Sequence, residues 1–284
     1  MSVELDRLLI VNADDYGLTP AVSRGILRGV HDGVITSTSV LVLGSGFSRS
    51  VGWLRDEGQV GVGVHLALVG EDPPLSPARE IPTLVDRRGR LPRSWRQLLP
   101  RVMAKRIDVA DIERELEAQI RAMHDAGLSV DHLDSHQHVH MFPGLREVVV
   151  DLAHRFDVPA VRVTHSTGRG PVGRLMRRLA STLERELQAD GIAFADDSAG
   201  LDEAGQFDEA TMLRALDRFA TADASSIELS GHPGEAEDDE RSRYRWGYHW
   251  GVELDAVLSP LVRQSVERHG YRLGTYRDLA VTKR

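Results

Sequence analysis

LLIVNADDYG, residues 8–17, is a short apolar run that ends in two acids, an aromatic residue and a glycine. The aliphatic residues from Leu8 to Val11 predict a buried strand ending near Asn12. Thr19 and Pro20 then supply an N-cap and first-turn proline for a helix running to about Asp32. This first strand-to-helix turn lacks GxGxxG, so a dinucleotide-binding fold is disfavoured. The same alternation continues along the chain. Strands are predicted at Thr36–Leu43, Val60–Leu68, from Val130, at Ala160–Val163, near Ile192–Ala195 and at Ser226–Ser230. Ile112, Leu116, Ile120 and Met123 mark one face of a helix stopped near Gly127. Further helices are predicted after Pro143 to about Phe156, over 172–189, 208–222 and 252–269. About seven strand–helix units, with no repeat period and no Gly/Ser linker, favour one barrel-like α/β domain over residues 1–284. An open doubly wound sheet is the alternative.

Composition narrows the chemistry. The 35 basic and 43 acidic residues leave a formal charge of −8, which disfavours a nucleic-acid partner. The expected ligand is a small molecule or a neutral polymer. The chain has no cysteine, so disulfides, thiolate metal sites and thiol nucleophiles are excluded and any metal must use His, Asp and Glu. Only Lys105 and Lys283 are lysines, leaving little material for Schiff-base chemistry. The first residues show no basic region before a long apolar stretch, and no run of about 18 apolar residues occurs. A cytoplasmic protein with no membrane partner is the expectation.

The densest signal is VDHLDSHQHVH, residues 130–140, which holds four of the twelve histidines. On a strand, His132, Asp134, His136, His138 and His140 would share one face. Burying each such group unpaired costs about 1–3 kcal/mol, so a metal or catalytic site is the economical explanation. Some of these histidines would then only support the ligands. Asp14 and Asp15 stand at the first strand's carboxyl end, where active sites of parallel α/β folds collect, although Asp is also common as a helix cap. His65 and His232 stand at two further strand ends; a lone histidine such as His65 is more often a satisfied core residue than a ligand, and His232 alone reads as a turn residue. Two imidazoles and a carboxylate around a divalent ion with open positions suit hydrolysis, because the ion polarises a carbonyl and acidifies water. Two long loops, 70–95 and 234–250, are candidate substrate or interface loops. In the second, Tyr244, Trp246, Tyr248 and Trp250 alternate, so an extended segment would put four rings on one side, for sugar stacking, a neighbouring subunit or plain packing.

NADDYG, GVHLAL, HLDSHQHVHMFPGL and ELSGHPG, in that order, resemble the YdjC/ChbG-like carbohydrate deacetylases, and GYRLGTYRDL is similar to the family's last segment. The resemblance implies a TIM-like (β/α) barrel and metal-dependent removal of acetyl groups from N-acetylated sugars such as chitooligosaccharides. It implies Asp15, His65 and His136 as ligands of a divalent ion, Mg²⁺ or Zn²⁺ first. It further implies Asp14 as general base and His232, from the opposite rim, as general acid. Asp134, His138 and His140 fall behind the ligands or in the substrate pocket. Arg162 is expected to orient Asp14, to hold a sugar hydroxyl or to form a structural ion pair. A homodimer is also expected. Trp250 departs from the family, which commonly has arginine three residues before the glutamate that here is Glu253. His132, Trp246 and Trp250 have no assigned role. The competing readings are another metal hydrolase, such as an amidohydrolase or phosphoesterase, and a catalytically silent sugar-binding protein.

Overall fold

The computed structural model describes residues 7–282; the start of the chain, read above for a leader, and Lys283 lie outside them. Strand β1 (Arg7–Tyr16) leads into helix α1 (Pro20–Asp32), whose N-cap is Thr19: its hydroxyl accepts the Val22 N–H at 3.1 Å. Then follow β2 (Ser37–Val40), α2 (Phe47–Arg55) and β3 (Gly61–Leu66). After the first long loop come α3 (Trp95–Met103), α4 (Val109–Asp125), β4 (His132–Ser135), α5 (Arg146–Arg155) and β5 (Ala160–Val161). The last part runs α6 (Pro171–Asp190), β6 (Asp197–Ala199), α7 (Glu209–Ala220), β7 (Ser226–Gly231), α8 (Trp250–Leu258), α9 (Pro260–Arg268), β8 (Tyr271–Leu273) and α10 (Tyr276–Thr282). Among the described residues no helix is long and apolar enough to cross a membrane.

The strand ladders are parallel and follow the order β5-β4-β3-β2-β1-β7-β6, with β8 beside the first residues of β1. That is the cyclic order of a seven-stranded ring cut between β5 and β6. The closed barrel is therefore corrected to a curled, open sheet. β5 is only two residues long, and a single parallel bridge, Ala160 to Ala193, spans the cut. The doubly wound alternative fails too, since β1 to β5 are laid down as successive neighbours. Ile192–Ala195 supplies that bridge but not a strand; the strand lies further on, at β6. Its register is set by Asp196, whose carboxylate accepts the Ser225 and Ser226 N–H groups, each at 3.0 Å. The helix predicted over 252–269 is two helices, because Ser259 caps α9 and Pro260 cannot continue α8.

The apolar residues of β1, β3 and β7 share one core with the inner faces of the helices, as Val11, Val64, Leu229, Leu116 and Leu216 illustrate. At 25 cal/mol per Å², each such side chain contributes about 1.5–3 kcal/mol on burial. Polar residues interrupt this core where the strands end, and those ends define the site.

Candidate metal and catalytic site

A regular strand would send Asp14 and Asp15 to opposite faces. Here Asp15 takes a left-handed conformation, φ 67°, and the β1–β2 register shifts between Ala13 and Tyr16. That bulge brings both carboxylates to His65, each in a ligand-atom group of its own, at a local cost of about 1–2 kcal/mol. β4 ends in a comparable way. Only His132–Ser135 is strand; the chain then enters a 3₁₀ turn over His136–Met141 with positive φ at Gln137 and His138. The expectation that five polar side chains share one strand face is thus corrected, because the strand ends before three of them.

His136 and His65, the latter on β3, present Nδ1 and Nε2 respectively to Asp15 Oδ1, each at 3.5 Å. The ligand atoms of Asp15, His65 and His136 all lie within 4.8 Å of one another, and all three residues are buried. Neither Asp15 oxygen has a hydrogen-bond partner. Two buried carboxylate oxygens left in this state cost several kcal/mol unless a cation completes them. His65 Nδ1 donates to Asp134 Oδ1 at 3.0 Å, which orients the ring and leaves Nε2 as the nitrogen that faces Asp15. The donor set, two imidazole nitrogens and one carboxylate, fits a divalent ion. Burial opposes protonation of His65, but Asp134, Asp14 and Asp15 outweigh it and raise its pKa to about 9. The same surplus of negative charge attracts a cation. A second grouping, Asp14, His65 and Asp134, is also compact, but its oxygens are already committed to Arg162, Ser39 and His65.

Arg162, 1% exposed just past β5, donates from both terminal nitrogens to Asp14, each at 2.8 Å. It also pairs with Asp134 and donates Nε to Glu228 at 2.8 Å. So sealed, it lies behind Asp14 and does not line the cleft that opens over these residues. Burial alone would raise the Asp14 pKa, yet Arg162 and His65 hold it below the usual carboxylate value. For Asp15 burial again opposes ionisation, and His136, His65 and His232 win.

His232 follows β7, the hydrogen-bonded neighbour of β1, so it is not on an opposite rim. Its Nε2 lies 4.0 Å from Asp14 Oδ2, and its backbone N–H donates to Glu253 on α8. His138 meets Thr164 at 3.2 Å, and His140 is held between Ser135 and the Arg162 carbonyl. His132 stacks on Tyr276, centroids 4.0 Å apart, beneath Gly63, where a Cβ would come within 2.3 Å of its ring.

A cleft of about 580 Å³ opens over Asp14, His65, His136, His138 and His232. Both long loops wall it. The first brings Glu71, Arg93 and Trp95, and the second brings Arg245, Trp246 and Tyr248. The alternating aromatics divide: Trp246 and Tyr248 face this cleft, whereas Tyr244 and Trp250 are buried, Trp250 under the Arg241 guanidinium. A groove of about 520 Å³ elsewhere, along Pro159 and Ile192–Phe194, brings no histidine or carboxylate cluster together. Sequence reasoning missed Glu228, Tyr276 and Ser39 behind the site. Glu228 was findable, being a lone acid between Ile227 and Leu229 in an otherwise uncharged strand.

Residues 8–268 match the family model described as YdjC-like protein. The chain is 32% identical to a chitooligosaccharide deacetylase of Enterobacter sp. (strain 638), over 97% of this chain and all of that protein. It is 38% identical to a carbohydrate deacetylase of Brevibacillus brevis, over 53% of this chain and 57% of that protein. Among solved structures, one from Enterococcus faecalis V583, named for cellobiose-phosphate cleavage, superposes with a TM-score of 0.80 at 26% identity, covering 96% of this chain and 99% of that one. The chain belongs to the family of YdjC-like proteins.

Proposed function

We propose that the protein is a metal-dependent hydrolase that removes acetyl groups from N-acetylated sugars, with Asp15, His65 and His136 holding the ion. The observation that carries this reading is the meeting, in one cleft, of an uncommitted two-His, one-Asp set with a second carboxylate and a third imidazole 4.0 Å apart. When bound, a divalent ion supplies Lewis acidity to the amide carbonyl and to water. Zn²⁺ and Mg²⁺ are the leading candidates, and the nitrogen ligands favour zinc.

Asp14 is the base. Arg162 keeps it ionised and fixes its plane, so it is ready to take the proton as the water oxygen bonds to the acetyl carbon and the carbonyl π pair moves to oxygen. His232 is the acid. As that pair returns and the C–N bond breaks, the departing nitrogen takes the His232 proton, leaving acetate and a free amine. Asp134 holds His65, and His140 braces the strand end by bridging Ser135 and the Arg162 carbonyl. His138, Trp95 and Trp246 line the substrate's path. A silent binding protein would need no base beside the ligand carboxylate.

The names of the relatives support an oligosaccharide substrate of the chitin type. Three exposed arginines, Arg93, Arg96 and Arg245, border the cleft, so a sugar bearing an anionic group such as phosphate also suits it. The test is acetate release from N-acetylated mono- and oligosaccharides, with and without a 6-phosphate, before and after chelation and re-addition of metal. Metal-restored acetate release is the expected result. Acetate release from no member of the panel contradicts the reading.

A further inference from the structure

We propose that Tyr248 is a catalytic residue, its phenol hydroxyl donating a hydrogen bond to the oxygen that becomes negative when water adds to the acetyl carbon; this rests on the deacetylase reading above. The chain has five tyrosines. Four have committed hydroxyls: Tyr16 donates to the Ser50 carbonyl at 2.7 Å, Tyr244 to Asp72 at 2.8 Å, Tyr271 to the Leu216 carbonyl at 3.1 Å and Tyr276 to Glu228 at 2.6 Å. Tyr248 lines the cleft with Asp14, His65, His136 and His232, and its hydroxyl bonds to none of the described residues.

Its ring is placed rather than loose. It packs on His232, centroids 4.6 Å apart, and between Trp246 and Trp250 at 5.6 and 5.5 Å. Gly205, at φ +79°, makes room for it: a Cβ there would stand 2.1 Å from Tyr248 Cδ1. The His249 N–H, donating to the Gly205 carbonyl at 2.8 Å, locks the two segments together. The floor of the site is built of carboxylates and imidazoles, while Arg93, Arg96 and Arg245 stand exposed at the border of the cleft. Arg162 is sealed behind Asp14, Trp246 Nε1 is turned to Glu71, and the proton of His232 is required by the leaving nitrogen. Burial raises the Tyr248 pKa, and Asp15, Glu253 and Asp14 raise it further, so the phenol keeps its proton as a donor. A hydrogen-bond donor to the developing charge is worth about 10²–10³ in kcat.

Tyr248→Phe keeps the ring against Gly205 and His232 and removes only the hydroxyl. With the metal-loaded enzyme we expect kcat to fall about 100-fold with KM within about twofold of the parent. Metal content and urea midpoint should not change. A phosphonamidate analogue of the acetamide, which mimics the tetrahedral carbon, should lose affinity by a similar factor, while the amine product should not. Unchanged kcat in Tyr248→Phe, or equal weakening of analogue and product, overturns the proposal while leaving the deacetylase reading standing. Acetate release from no substrate by the parent overturns both.

Discussion

Asp15 shows how much one backbone angle accomplishes. Its positive φ brings adjacent carboxylates into a single site, so that one meets Arg162 and the other meets two imidazoles with no proton donor of its own. The histidines divide by environment in the same way. His132 and His140 are buried, and desolvation lowers their pKa values to about 3 and about 4. Each stays neutral in the folded state while its unfolded counterpart gains a proton below about pH 6.5. Stability is therefore lost as pH falls from about 6.5 towards 4, by up to about 1.4 kcal/mol per pH unit for each histidine. Urea unfolding at pH 6.5 and 5.0 measures this, and equal free energies at the two pH values would show that these rings are charged or exposed. At this scale the sequence was legible where a polar residue interrupted an apolar run, as at His65 and Asp134. It was silent about Asp15, Gln137 and His138, because none of these residue types demands positive φ.

Among the elements, α4 does more than its apolar stripe indicated. Ile112, Leu116, Ile120 and Met123 pack inward as read, but Asp111, Glu115 and Gln119 beside them are also buried. Asp111 accepts from the Thr83 N–H and hydroxyl, Glu115 from the Leu75 and Ser76 N–H groups, and Gln119 exchanges two bonds with Ala67. The proline-rich loop is thus held at two points, and the residues that lead into it from β3 at a third, each one helical turn from the next along α4; the loop carries Arg93 and Trp95 to the cleft. Glu115→Ala strips two backbone N–H groups of their acceptor, at about 1–3 kcal/mol each. The expected outcome is a stability loss of about 2–6 kcal/mol and a raised KM with kcat little changed. A KM equal to the parent's would mean that the loop does not shape the substrate path. The short elements β8 and α10 went unread, because three and seven residues offer too little periodicity. Yet α10 carries Tyr276, which reaches through Glu228 to Arg162.

For the whole molecule, the order of the strands was legible from the alternation of apolar runs, whereas closure was not, because it depends on the length of one strand, β5. The curled sheet gathers β1, β3, β4 and β7 so that their carboxyl ends share one cleft. Three buried carboxylates, Asp14, Asp134 and Glu228, meet a single buried guanidinium, Arg162, and a fourth, Asp15, lies beside them without one. A divalent ion at Asp15 offsets most of the formal excess, so the site's chemistry and its charge balance call for the same partner. The absence of cysteine leaves that partner to nitrogen and oxygen ligands, which suits hydrolysis. In the proposed mechanism Asp14 acts on substrate beside a metal site it does not itself form. The most direct measurement is acetate release from an N-acetylated oligosaccharide by the parent and by Asp14→Asn, with metal content determined on the same samples. Equal metal content and a turnover about 10²–10⁴-fold lower in the variant are expected; turnover equal to the parent's would contradict the assignment of Asp14 as base.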